Sequence, residues 1–230
     1  MLLRQLVSRT SLGWIALVAA LALPSSGAGS DDVELPNVAA QVPWQLEHRD
    51  DDPERGYVLY KRMPPGSDFA AYRLEAVIDA PPERVARAAR ENLLDPEQTQ
   101  SNVRKQILRN DGDVVIVYSY IDLPLVSDRD ALTRAERSFD HRTQSYRLSW
   151  RNTDEGPPPP EGVVRVGKSE GSWLFEPAPD GRTKVTYESH SESPGVIPAW
   201  VVNSVMNGTV VDGFDKLRAR AQGATTVGER

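Results

Sequence analysis

The feature that most constrains this chain is its order of local patterns. Two strand-like segments and one short helix are followed by a long run of strand-like segments, and one long amphipathic helix closes the chain. Strand patterns stand at Gly56–Arg62 and Ala70–Ala80, where Tyr72, Leu74, Ala76 and Ile78 alternate onto one face. Pro82 to about Leu94 opens with proline and acid and continues in alanine and arginine, which predicts a helix. Further strands are predicted at Val103–Arg109, Asp113–Ile121, Ser127–Phe139, Gln144–Asn152, Val163–Glu176 and Arg182–Ser191. Asp111-Gly112 and Asp180-Gly181 read as hairpin turns. The four prolines at 157–160 mark an exposed loop, because proline donates no ladder hydrogen bond. Trp44–Arg49 reads as a short helix. Consecutive hairpins favour one antiparallel sheet, and a sheet of about eight strands must curl. Its natural partner is the closing helix, predicted from Ile197 to Ala221.

That helix poses a question. At about 100° per residue, Ala199, Val202, Met206, Val210, Phe214 and Leu217 form one apolar stripe, widened by Trp200 and Val211. Asn203 and Asn207 lie inside this arc, one turn apart. They either satisfy loop backbone groups at a buried edge or face a cavity holding water or the polar end of a ligand. A buried amide without partners costs about 1–3 kcal/mol, so one of these must hold. Gly208 and Gly213 fit close packing or room for a ligand.

The N-terminus reads as an export signal over residues 1–28. Arg4 and Arg9 precede the apolar run Ser11–Leu23, small residues follow, and cleavage is expected after Ala28. The apolar run is shorter than the ~20 residues of a membrane-spanning helix. Residues 29–43 read as a flexible lead-in and 223–230 as a fraying tail. The whole chain of 230 residues carries a formal charge of −6, which argues against nucleic-acid binding. It has no cysteine, so disulfides, thiol chemistry and a lipid-anchored cysteine are excluded. The expected location is the periplasm or outside the cell, as a monomer.

In this setting "DLPLVSDRD" (122–130), "GVVRVGKSEGSWLFEP" (162–177), "GRTKVTYESHSESPGVIPAWVVN" (181–203) and the closing helix resemble the steroidogenic-acute-regulatory-related lipid-transfer (START) domain family. The likeness runs over about 180 residues, within an expected domain of 44–222. It implies an α+β helix-grip fold, a curved antiparallel sheet closed by the C-terminal helix around an apolar tunnel for one lipid. It also implies that the last helix is wall and lid of that tunnel.

Two arginines are predicted to point inward. Arg129 shares a strand face with Ala131, Thr133 and Ala135, and Arg165 shares one with Ser169, Gly171 and Trp173. Each either forms a structural ion pair, with Asp128, Asp130, Glu75 or Glu188, or clamps a ligand head group; a slip of register would put them at the surface. The expected ligand-binding set is Arg129, Arg165, Trp173, Trp200, Asn203, Met206, Asn207, Val210, Val211 and Phe214. Leu123, Leu125 and Val126 form an apolar loop tip, read as a portal lip in transient contact with membrane. With Val196 and Ile197 they make the expected gate.

No cofactor, metal site or catalytic residue is expected. Gly167–Gly171 matches G-x-S-x-G, but continues as a strand where a nucleophile needs a strand–turn–helix. His48, His141 and His190 have no metal-ligand spacing; His190 is expected at the surface. The function expected is binding, and transfer, of a lipid or other hydrophobic small molecule. The alternative is a helix-grip enzyme, a cyclase or hydrolase on an apolar substrate, whose raw material would be Asp130, Glu136, Glu188, Tyr118 and Tyr187. A third reading is a sensor whose cavity is vestigial.

Overall fold

The structure is a computed structural model and describes residues 42–53, 55–96, 102–123, 126–192 and 199–223. The expected signal (1–28), most of the lead-in, and the tail beyond Gly223 lie outside them. Ten strands form one sheet: β1 (Gln45–Asp50), β2 (Tyr57–Arg62), β3 (Ala71–Ile78), β4 (Val103–Asn110), β5 (Val114–Ile121), β6 (Arg129–Asp140), β7 (Ser145–Asn152), β8 (Val164–Arg165), β9 (Lys168–Pro177) and β10 (Thr183–Glu192). Two α-helices, α1 (Pro82–Leu94) and α2 (Ala199–Gln222), and one 3-10 turn at Pro179–Gly181 between β9 and β10 complete the described elements. The spatial order is β1-β2-β3-β10-β9-β7-β6-β5-β4, antiparallel throughout, with β8 added in parallel to β6. This is the curved antiparallel sheet with a closing helix that defines a helix-grip.

Two local expectations are corrected. Trp44–Arg49 is not a helix; Gln45–Asp50 is an edge strand paired with β2 through a bulge between Leu46 and His48. Its residues are all exposed, so no apolar face set its period, and the free edge of β2 did. Val163–Glu176 is not one strand either. β7 covers β6 only as far as Thr133, and β8 fills the uncovered edge beside Arg129 and Asp130, with Val164 N donating to Asp128 O and Val166 N to Asp130 O. The chain then turns at Gly167 to enter β9.

Pro82 opens α1 at the first helical position, where its missing N–H costs nothing. Val85, Ala86, Ala88 and Ala89 bury its inner face. The last carbonyls of α1 are covered from β4: Lys105 Nζ donates to Asn92 O (3.3 Å), Leu93 O (3.1 Å) and Asp95 O (3.2 Å). A cation there also meets the negative end of the helix dipole. Arg220 Nη2 donates to Asp95 Oδ2 at 2.6 Å and ties the end of α2 to that of α1. The core lies between the helices and the inner face of β2, β3, β10, β9 and β7, around Leu59, Tyr72, Leu74, Phe175, Val185 and Phe214. His190, expected at the surface, is 8% exposed. Ser67 covers it, with Oγ 3.3 Å from Nε2, and burial lowers its pKa.

Candidate ligand-binding site

Away from that core the sheet and the helices do not meet. A cavity of about 250 Å³ lies between the inner face of β4–β7, β9 and β10 and a roof made by α1 and α2. Register explains its walls. Lys105, Ser119 and Ala131 stand side by side across β4, β5 and β6. Ser169 faces Ser191 and Trp173 faces Tyr187 across β9 and β10. Small residues at Ala131, Thr133 and Ala135 leave the floor low, and Ala89, Leu93, Met206, Thr209 and Leu217 reach down from above.

One end is aromatic. Tyr187 lies 4.4 Å, centroid to centroid, from Trp173 and 5.7 Å from Trp150, stacked on the latter. Burial pushes the Tyr187 hydroxyl up to about 12, so it stays neutral at ordinary pH. Gly171 allows this packing. A Cβ there would lie 2.3 Å from the Trp150 ring and 2.4 Å from Glu188 O.

Of the residues expected to meet a ligand, Trp173 and Met206 line the cavity. The rest are placed elsewhere. Arg165 gives Asp130 a two-pronged ion pair, Nε to Oδ1 at 2.8 Å and Nη2 to Oδ2 at 2.6 Å, and donates to Pro157 O at 3.0 Å. The break at Gly167 takes Arg165 off the face it was expected to share with Trp173, and Val166 lines the cavity instead. Arg165 is thus a structural ion pair and not a head-group clamp. Arg129 is 1% exposed and points to the inner side at the cavity's end, opposite cavity-lining Ile121. It does not line the hollow itself. Its Nη1 donates to the carbonyls of Ser127 and Asp128, and its Nε is buried without a partner among the described residues. Desolvation lowers its pKa.

The asparagines satisfy neighbouring loops and strands. Asn203 Oδ1 accepts from Ala70 N at 3.0 Å and Nδ2 donates to Asp68 O at 3.1 Å. Asn207 Nδ2 donates to Glu47 Oε1 at 2.7 Å. Neither faces the cavity, because α2 has two buried sides and not one. Val210 and Phe214, with Val211 beside them, pack into the solid core, where Phe214 meets Tyr57 edge-on. The side with Met206, Thr209 and Lys216 roofs the hollow. Trp200, 72% exposed, belongs to neither. Gly208 is exposed, and a Cβ added there would meet open space, so it serves neither close packing nor a ligand. Leu123 and Val126 of the expected gate are half-buried. Leu125, Val196 and Ile197 lie outside the described residues.

The polar lining was not anticipated at Lys105 and Lys216, nor at Asn92, Ser119, Ser189, Ser191 and Thr209. Lys105 was legible, since it alternates with Val103 and Ile107 on one face of β4. Lys216 was hidden by treating α2 as a helix with a single apolar stripe. Among the described lining residues there is no carboxylate. Glu136 pairs with Arg134 and Glu188 with Arg73, both away from the cavity, and Asp130 is held by Arg165. No group of His, Cys, Asp or Glu that could hold a metal occurs among the described residues, and no described helix is long and apolar enough to cross a membrane.

This is the architecture of a helix-grip protein with an internal cavity. The START domain family model matches residues 32–226, and the chain belongs to that family. It is 27% identical over 185 residues to an uncharacterised protein of Pseudomonas aeruginosa, covering 78% of this chain and 87% of that one. Among solved structures it is similar to a STAR-related lipid transfer protein from Xanthomonas axonopodis (TM-score 0.64, 23% identity, 78% of this chain and 98% of that one). Human STARD10 is similar too (TM-score 0.62, 17% identity, 84% and 83%), as is the human StarD13 lipid transfer and protein localization domain (0.61, 17%, 79% and 90%).

Proposed function

We propose that this START domain binds a lipid or other hydrophobic small molecule in the cavity between α1, α2 and the sheet, and transfers it through water. The observation that carries the reading is the cavity itself, roofed by Met206 and Leu217 and floored by small and aromatic residues. A space of about 250 Å³ lies just below the ~300–1,000 Å³ usual for small-molecule sites. A chain drawn into it gains about 0.8 kcal/mol per CH₂ removed from water. We assign the gate to α2 and the loop carrying Leu123 and Val126, in transient contact with membrane. The relatives named for lipid transfer support this by fold. The N-terminal pattern supports export to the periplasm or beyond, and the acidic charge supports a protein without nucleic-acid partners.

The test is organic extraction and mass spectrometry of the purified protein, with transfer of a fluorescent lipid between vesicles. The reading expects a bound hydrophobic compound near one per chain and accelerated transfer. Repeatedly empty protein that moves no lipid would count against it.

A further inference from the structure

The charged groups of the cavity lie toward one end. The register sets Ala135, Leu148, Trp173 and Tyr187 toward one end of the floor, and Lys105, Ser119, Ser169 and Ser191 toward the other, among apolar Val103, Ile121 and Val166. Two cations and no carboxylate line the cavity among the described residues. Lys105 has all three ammonium donors on carbonyls, Asn92 and Leu93 of α1 and Asp95 just beyond it, so its charge is fixed in place while its protons are taken. Lys216 differs. It lines the cavity from α2, close enough for its charge to act on Lys105, and has no hydrogen bond or ion pair among the described residues. Two acids lie near the pair but outside the lining: Asp95 acts on Lys105 and is itself held by Arg220 at 2.6 Å, and Asp212, one turn before Lys216, feels its charge without an ion pair to it among the described residues. Asn92 also lines the cavity, with Oδ1 buried and without a partner among the described residues. Its amide can present either end to a ligand.

We propose that the cavity is specific for a single-chain amphiphile with an anionic oxygen head, carboxylate or phosphate, its tail against Trp173 and Leu148 and its head on Lys216. This rests on the binding function proposed above. Lys216 Nζ supplies a charge-assisted hydrogen bond to the head, Lys105 a fixed positive potential, and Asn92 a further polar contact. A volume of about 250 Å³ suits one chain better than two. Burial lowers the Lys105 pKa to about 8 although Asp95 opposes the fall. An anionic head would relieve it.

The test is calorimetric titration of delipidated protein with dodecanoate, dodecyl phosphate, 1-dodecanol and dodecyltrimethylammonium, each below its micelle concentration and without vesicles. Lys216→Met is run in parallel, because it keeps the aliphatic stem at a half-exposed helix position. We expect at least one of the two anions to bind ten-fold or more tighter than 1-dodecanol, the cation to bind weakest, and Lys216→Met to erase the preference by weakening the anions at least ten-fold more than it weakens 1-dodecanol. Which anion binds tighter separates a fatty acid from a phosphate ester. Equal affinity for all four, or an anion preference intact in Lys216→Met, overturns the head-group assignment but leaves the cavity reading standing. Binding of none by folded protein overturns both.

Discussion

Asp130 has no solvent exposure, and its carboxylate is held by Arg165. Arg165→Met would strand a buried charge, which costs about 3–5 kcal/mol where the pair is fully desolvated. Arg165 is itself 23% exposed, so the low end of that range applies. The unfolding free energy from urea titration should fall by that amount, while affinity for a cavity ligand stays unchanged; a lost affinity with an unchanged unfolding free energy would make Arg165 a ligand contact. Asn203→Leu should cost about 1–3 kcal/mol in the same assay, because Ala70 N and Asp68 O lose their partners. Both residues were visible in the sequence as polar groups in apolar settings. Which partner each would find was not, because Arg165 depends on a strand break at Gly167 and Asn203 on a loop 133 residues earlier.

The α1 element is held at its C-terminus by a lysine on β4, and this gives it a pH signature. Burial lowers Lys105 from 10.5 to about 8; Asp95 opposes the fall and Lys216 adds to it. Between those values the unfolded chain holds a proton that the folded chain has released, so the Lys105 contribution to stability rises with pH from about 8 to 10.5. Below about 8 the cost of burying the ammonium is fully present. The stability difference between wild type and Lys105→Met should therefore shift in favour of wild type across that window. A flat difference would mean that the lysine is solvated. On β9, Gly171→Ala places a methyl against Trp150 and the Glu188 carbonyl. Overpacking of this kind costs about 1–3 kcal/mol, and it should also push Trp150 into the hollow and weaken ligand binding, readable as a lower denaturation midpoint and a weaker titration. Elements with a strong apolar period, such as β3, β5 and α1, stand where the sequence places them. β1 and β8 do not, because they exist to cover strand edges, and an edge belongs to the assembled sheet rather than to the segment that covers it.

Over the whole molecule, the helix-grip plan was legible from the order of hairpins and the closing helix. The interior was legible only in part. Periodicity shows which residues of α2 are buried, but not whether a core or a void lies beneath them. The structure divides that helix: Val210 and Phe214 lie in the core away from the hollow, Thr209 and Lys216 face the hollow, and Met206 and Leu217 belong to both. That division lets one helix be both fastened and a roof. The most direct measurement of the hollow is an equilibrium titration with diphenylhexatriene, a neutral apolar probe excited through Trp150 and Trp173, on wild type and on Ala131→Trp, which fills the floor. If the helices roof an empty space, wild type saturates at one probe per chain and Ala131→Trp binds at least ten-fold more weakly with an unchanged circular dichroism spectrum. Equal affinity in the two proteins, or no saturable binding to wild type, would show that the space does not take an apolar ligand.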